Sequence, residues 1–160
     1  MENILDKESV KRVIKVLNDF DQTLKVQILK NSARTANDAA VALNCKVGAI
    51  VKSLFLKTEK SFVLCLVSGD KKCSLNKIKK LLAEKDVVMA NADQVKEKTG
   101  FSIGGVSPIA HINKIEILID SSLSQYEKVY AAAGHPNSIF EISYQKLIKI
   151  TKGKEEDIIL

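Results

Sequence analysis

The sequence predicts a single domain of the mixed α/β class, in which short helices surround a curved β-sheet. Short apolar runs typical of strands alternate with helical patterns along the whole chain, without internal repeats or a long linker. The 160 residues, 46% of them hydrophobic and 28% charged, have the ordinary size and composition of one globular domain. We therefore expect residues 1–160 to share one core.

The first part of the chain predicts two helices with a strand between them. Apolar side chains recur at helical spacing over residues 6–20, which predicts an amphipathic helix at the edge of the core. Residues 25–30 have a short extended pattern. Thr35 is a suitable N-cap for an alanine-rich helix over residues 36–43 that ends at Asn44.

The next part of the chain predicts two strands. A turn at Gly48 leads into an apolar run that Lys52 interrupts. This lysine lies either on the solvent face of a half-buried strand or in a cleft, and periodicity alone leaves both open. The run over residues 62–67 is continuously apolar, which is typical of a central strand covered on both faces.

Caps, apolar periodicity and Gly or Pro stops predict the remaining elements. They are a helix over 75–83 with Lys77, Lys79 and Lys80 on its polar face, a strand over 87–90, a helix over 91–98, a strand over 114–120, a helix from 121 or 122 to 133, a strand over 139–142, a helix after Ser143 and a charged tail over 151–160. The lysine-rich face is either solvated or in contact with phosphates.

Composition narrows the classes of function. A net charge of +6 favours a polyanionic partner without requiring one. The charged N-terminus does not resemble a signal peptide and the apolar runs are too short to span a membrane, so we expect a cytoplasmic protein without membrane association. Because Cys45, Cys65 and Cys73 lack paired ligand spacing and the two histidines form no metal motif, we expect no disulfide, metal or cofactor.

A glycine-rich stretch over residues 99–111 is the most distinctive local feature. Gly104 and Gly105 expose bare backbone, and Pro108 fixes the direction in which the chain leaves. Taken alone, the stretch is either a tight turn between a helix and a strand or a surface that holds a ligand.

Five segments, in this order and spacing, resemble the YbaK/EbsC family, free-standing relatives of the editing domain of prolyl-tRNA synthetase. They lie at residues 35–40, 48–54, 68–70, 99–108 and 132–137. The resemblance extends over residues 25–150 and implies an aminoacyl-tRNA deacylase that acts in trans. Its implied substrate is a mischarged tRNA, with proline tRNA carrying a small non-cognate amino acid as the expected form, and prolyl-tRNA synthetase is a further expected partner.

The resemblance also implies roles for individual residues. Lys52 matches a lysine thought to anchor the phosphate or ribose at the tRNA 3′ end, and Gly104 and Gly105 belong to a loop whose backbone approaches the terminal adenosine. A second loop over residues 134–138 shapes the amino-acid pocket. Its Gly-His-Pro-Asn-Ser sequence departs from the more basic, glycine-rich form of the YbaK branch, which puts that branch's cysteine specificity in doubt here. The expected substrate-binding residues are Thr35, Val106, Ser107, Pro108, His111, Gly134, His135, Pro136, Asn137 and Ser138.

An aminoacyl ester is activated, so a site that orients water and stabilises the developing oxyanion is sufficient for hydrolysis. We expect Lys52 to hold a 3′-terminal phosphate and N–H groups of the Gly104–Gly105 turn to polarise the ester carbonyl. The ribose hydroxyl of the substrate would help to position the water. No G-x-S-x-G or HExxH motif is present, and no Cys–His pair is evident by spacing.

Several alternatives stay open. His111 is either a proton carrier or a hydrogen-bonded loop residue, and His135 lies either in the pocket or on the surface. Ser107 is a possible hydrogen-bond donor but lacks an identified base as a nucleophile, while Thr35 is an N-cap that could also form part of the wall. The alternative functions are a non-catalytic module that binds an RNA end or nucleotide, and hydrolysis of another small aminoacyl ester.

Overall fold

The structure is a computed structural model that describes residues 3–31 and 35–160. The helices in this part of the chain are α1 (Glu8–Phe20), α2 (Ala36–Leu43), α3 (Leu75–Leu82), α4 (Ala92–Thr99) and α5 (Tyr144–Thr151). The strands are β1 (Val26–Ile28), β2 (Val51–Thr58), β3 (Phe62–Ser68), β4 (Val87–Met89), β5 (Glu116–Asp120), β6 (Lys128–Ala132), β7 (Ser138–Ser143) and β8 (Lys154–Glu156).

The predicted α/β class is confirmed, but the strands form two sheets where the sequence predicts one. The larger sheet has the order β4-β2-β3-β5-β8 and the smaller one β1-β7-β6. The two sheets meet just before β2, where Ile50 bridges to Tyr130 of β6, while further along β2 Leu56 pairs with Met89 of β4 within the larger sheet. β6 and β4 therefore pair near opposite ends of the same edge of β2 and diverge from each other. The part of this edge between the two pairings faces an opening.

The larger sheet is covered on both faces. Alternate residues of β3 contribute to two separate clusters, since Leu64 and Leu66 pack with α1 while Val63 and Cys65 pack with Ile78 of α3. All but the first residue of β3 are buried, which confirms the prediction of a central strand. β2 therefore has a rigid neighbour along the edge that faces away from the opening.

The structure confirms the predicted helix caps. The Thr35 hydroxyl accepts a hydrogen bond from the Asp38 N–H at 3.1 Å, and Asn44 ends α2 in the left-handed conformation with φ of 53°. Asn91 and Gln94 form a reciprocal capping box at the start of α4. These caps depend only on residues three or four positions apart.

The predicted helix from residue 121 or 122 to residue 133 is wrong. The structure has a 3-10 turn at Ser121–Gln125, capped by Asp120, followed by strand β6. Val129 and Ala131 are buried and their neighbours are not, so the burial pattern alternates as in a strand. Spacings of three and four residues among apolar side chains mimic a helix here, and pairing with β7 decides the outcome.

The predicted charged tail is also wrong. Residues Lys154–Glu156 form β8, which adds to the edge of the sheet parallel to β5. The Ile158 side chain is fully buried and its N–H donates to the Asp120 carboxylate at 2.9 Å. Charged residues are compatible with an edge strand because one of its faces remains in water.

Candidate active site

A cavity of about 290 Å³ opens where β4 and β6 diverge from the edge of β2. Most of its lining is apolar, as is usual for sites that enclose part of a ligand. It is lined by Thr35, Ala36 and Ala39, by Ile50 and residues 51–55 of β2, by Met89, Ala90 and Val95, by Ile103, Gly104 and Val106, by residues 130–132 of β6, and by His135, Pro136, Ser138 and Ile139.

Lys52 supplies a cation to this cavity. Its side chain is half-buried, and its Nζ donates a hydrogen bond to the main-chain carbonyl of Lys71. Within the described ranges no carboxylate forms an ion pair with it. A partly desolvated cation that has a carbonyl partner but no counter-ion is suited to binding an anionic group of a ligand.

The glycine-rich loop forms one wall of the cavity. Gly104 lines it with φ of +93°, a left-handed conformation that favours glycine. The Gly105 N–H donates to the Ser102 carbonyl at 3.0 Å, so it closes the turn and is not free to polarise a substrate carbonyl. The N–H groups of Gly104 and Val106 have no hydrogen-bond acceptor among the described residues.

The second loop packs directly against the first. A Cβ atom placed on Gly105 would lie 2.9 Å from the His135 nitrogen and 3.0 Å from its Cα. Real Cβ atoms almost never approach other atoms this closely. The backbones of the two loops are therefore in direct contact, with no side chain between them. The Ser138 N–H donates to the His135 carbonyl at 3.0 Å and closes this second turn.

His135 lines the cavity in a defined protonation state. Its Nδ1 lies 3.0 Å from the Asn137 main-chain nitrogen, whose N–H can only donate. Nδ1 is therefore the acceptor, and the neutral ring carries its proton on Nε2. Partial burial lowers the pKa of His135, and the positive charge of Lys7 lowers it further. A neutral ring that donates from Nε2 is the form favoured near pH 7.

Six of the predicted site residues lie outside the lining of this cavity, and four of these six are held within the protein by contacts of their own. Ser107 is fully buried, and its carbonyl oxygen is 2.7 Å from Nε2 of His111. The His111 ring stands edge-on to Phe101, and burial is the main cause that lowers its pKa. The other two residues are Pro108, which is buried, and Asn137, whose side chain donates to the Leu29 carbonyl at 3.3 Å.

The remaining predicted residues meet around the cavity. Thr35, Lys52, Gly104, Val106, His135, Pro136 and Ser138 line it, whereas Gly105 and Gly134 lie on the outer side of the two loops. Thr35 combines its capping role with a place in the wall.

Sequence reasoning missed Ser53, Met89 and Tyr130, which also line the cavity. Ser53 is notable because its Oγ is buried without a hydrogen-bond partner in the part of the chain that the structure describes. A polar residue next to Lys52 in an apolar run is a signal that could have identified it. Met89 and Tyr130 carry no such signal, because they reach the cavity through pairing between distant strands.

The described residues form neither a metal-binding cluster nor a membrane-spanning helix. Residues 3–31 and 35–160 contain no group of three or more His, Cys, Asp or Glu side chains arranged to hold a metal ion. In the same ranges, no helix has the length and apolar character needed to cross a membrane.

Comparison with known proteins gives consistent results. A family model described as the aminoacyl-tRNA editing domain matches residues 30–150. A proline–tRNA ligase of Thermosipho africanus is 31% identical over 117 residues, which cover 73% of this chain but only 20% of the ligase. The chain thus corresponds to about a fifth of the length of that enzyme.

Matches of similar length also exist. The protein YwhH of Bacillus subtilis is 29% identical over 147 residues, which are 91% of this chain and 93% of YwhH. A crystal structure described as that of a proposed trans-editing enzyme for prolyl tRNA synthetase superposes with a TM-score of 0.91 at 36% identity, covering 96% of this chain and 98% of the other. This chain therefore belongs to the aminoacyl-tRNA editing domain family.

Proposed function

We propose that this protein is a deacylase that hydrolyses the ester bond of a mischarged aminoacyl-tRNA in trans, with proline tRNA carrying a small non-cognate amino acid as its substrate. The observation that carries the proposal is the position of Lys52, a half-buried cation without a carboxylate partner among the described residues, at a largely apolar cavity. The similarity to proline–tRNA ligases and to a proposed trans-editing enzyme for prolyl tRNA synthetase supports it.

In this proposal Lys52 binds the substrate through an anion. The RNA end carries phosphates next to an uncharged amino-acid side chain, and the cavity offers one cation beside an apolar lining. Lys52 Nζ already has the Lys71 carbonyl as one acceptor, which holds the ammonium in place while its other N–H groups remain for a phosphate oxygen.

Main-chain N–H groups then polarise the ester carbonyl. Gly104 and Val106 are the candidates, because the N–H of Gly105 is already bonded to Ser102. Water attacks the carbonyl carbon, the bond from that carbon to the ribose oxygen breaks, and the ribose oxygen takes the proton that the attacking water gives up. Donors fixed in the loop stabilise the oxyanion without having to reorganise during the reaction.

The second loop closes the site at the amino-acid side. His135 contributes an N–H donor on Nε2 and Pro136 an apolar surface. The ribose hydroxyl of the substrate positions the attacking water, since Nδ1 of His135 is occupied by the Asn137 N–H and does not serve as a base there. We further propose that the protein works in the cytoplasm and cooperates with prolyl-tRNA synthetase, whose errors it would correct.

The test is a deacylation panel with proline tRNA charged with alanine, cysteine, serine or threonine. We expect hydrolysis of at least one of these esters, and a loss of about 100-fold or more in kcat/KM for Lys52→Ala, as for removal of one charged contact made in the transition state. Lys57→Ala is the matched control, because Lys57 is an exposed lysine of the same strand.

Three results would contradict the proposal in whole or in part. Equal activity of the Lys52→Ala and Lys57→Ala proteins would remove Lys52 from the mechanism. Failure on every ester, together with retained binding of the RNA end, would favour a non-catalytic binding module, whereas hydrolysis of a short aminoacyl ester as fast as of charged tRNA would show that the tRNA body is not needed.

A further inference from the structure

A second cavity, of about 420 Å³, lies on the other side of the wall that the two loops form. It is lined by the start of α1, by Lys96 of α4, and by the outer faces of Gly105 and Gly134. His135 and Pro136 line both cavities. Because the loop backbones touch at Gly105 and His135, only main chain separates the two spaces at this point.

The charge of the second cavity is positive. Lys7, Arg12 and Lys96 line it, and among the described residues of its lining Glu8 is the one with an acidic side chain. The Arg12 guanidinium is fixed in position, since its Nη2 donates to the Gly100 carbonyl at 3.1 Å and its Nε to the Ala110 carbonyl at 3.3 Å. Neither acceptor is a carboxylate, so these bonds hold the arginine without cancelling its charge.

The effect of this charge reaches the shared wall. Burial is the main cause of the lowered pKa of His135, and Lys7 contributes to it, at the histidine that lines both cavities. In contrast to the first cavity, the lining here is rich in polar atoms, with Ser9 and Ser102 beside the cations. A site with several cations and hydroxyl groups suits a phosphate group rather than an amino-acid side chain.

We propose that the second cavity binds a backbone phosphate of the RNA strand, one or two nucleotides before the end that occupies the first cavity. The proposal rests on the proposed function, in which the first cavity holds an RNA 3′ end. The strand would pass over the two-loop wall at His135 and Pro136. Part of the site comes from α1, which lies outside the residues 30–150 that match the family model.

The test measures binding rather than hydrolysis. The probe is an uncharged, fluorescently labelled RNA hairpin that has the acceptor stem and single-stranded 3′ end of a tRNA, titrated at several salt concentrations. Each phosphate contact to a lysine adds about 0.7 to 0.9 to the slope of log affinity against log salt. We expect Lys96→Ala to weaken binding severalfold and to lower that slope by about this amount, and Lys7→Ala to act in the same direction.

Lys60→Ala is the matched control. Lys60 is exposed and lies in the turn after β2, and its replacement by alanine removes the same charge as the other two substitutions. Lys60 lies beyond the end of β2 and lines neither of the two cavities. The proposal would be overturned if Lys96→Ala and Lys7→Ala changed the salt slope no more than Lys60→Ala does.

Further measurements distinguish a free phosphate ion from an RNA phosphate in the second cavity. They also distinguish failure of the second site from failure of the proposed function. Inorganic phosphate that binds the cavity tightly, while the hairpin affinity of Lys96→Ala equals that of the unmodified protein, would assign the cavity to a free anion and refute RNA binding there. The salt slope does not depend on hydrolysis, so a normal slope change with no activity on any ester would contradict only the proposed function. Activity with an unchanged slope would contradict only the second site.

Discussion

Replacing Gly105 with alanine tests whether contact between the two loops sets the geometry of the site. The new Cβ would lie 2.9 Å from the His135 nitrogen and 3.1 Å from the Gly134 carbonyl carbon. Ordinary contact begins at 3.4 Å, and both atoms belong to the main chain, so no side-chain rotation relieves the clash. The loops must therefore move apart.

The size of the effect follows from the difference between the 2.9 Å contact and the 3.4 Å at which ordinary contact begins. A displacement of about half an ångström is comparable to overpacking by one methyl group, which costs about 1–3 kcal/mol of folding free energy. Since misplacement of a bound substrate by about 1 Å can reduce catalysis roughly 100-fold, we expect kcat/KM to fall by about 10- to 100-fold. The Gly105 backbone is not in the left-handed region, so backbone strain adds little.

The assay combines urea denaturation with deacylation kinetics on the substrate that the tRNA panel identifies. Gly153→Ala is the control, because its Cβ would clash at 2.8 Å with Cδ1 of Ile119, a buried side chain next to β8 and outside the cavity lining. It should lose stability with little change in kcat/KM per folded molecule. Normal kinetics of a folded Gly105→Ala protein, or equal kinetic losses in both variants, would refute the reasoning.

Two further predictions concern buried polar groups. Ser53→Ala is expected to keep or raise the free energy of unfolding, because the buried Oγ of Ser53 has no hydrogen-bond partner among the described residues. If that hydroxyl binds substrate, the variant also has a lower kcat/KM. Urea denaturation measures the first effect and deacylation kinetics the second, and a clear loss of stability would show that the hydroxyl is hydrogen-bonded in the folded protein. Burial holds the pKa of His111 below its ordinary value of 6.5, so the unfolded chain binds its proton more readily and stability should decline as the pH falls from about 7 to 5. Urea denaturation at each pH should give a flatter dependence for His111→Gln, and an unchanged slope would contradict this account.

The sequence predicted best what neighbouring residues decide. Thr35, Asn44 and Asn91 cap their helices as expected, because a cap needs only a suitable side chain and the following turn. β6 and β8 were missed because each depends on a distant partner strand, β7 for the first and β5 for the second. Helical spacing in one case and high charge in the other were the stronger local signals.

The same distinction applies to the site. Lys52 was identified as an unusual residue in an apolar run, but its place in a cavity follows from the divergence of β4 and β6, which no local pattern encodes. Within the 104–108 segment, Gly104 and Val106 line the cavity whereas Ser107 turns into the core. A motif identifies such a loop as a whole, and the path of its backbone decides which residues reach the ligand.

The N-terminal helix has a larger part in the site than its amphipathic pattern predicts. The Ser9 hydroxyl donates to the Gly134 carbonyl at 2.8 Å, and Gly134 packs so closely on α1 that a Cβ would lie 2.7 Å from the Ser9 carbonyl oxygen. Arg12 donates to the carbonyls of Gly100 and Ala110, near the two ends of the glycine-rich stretch, and its guanidinium lies 4.7 Å from the centre of the Phe101 ring. α1 thus holds both loops from outside, and through them it fixes the wall that separates the apolar cavity from the basic one.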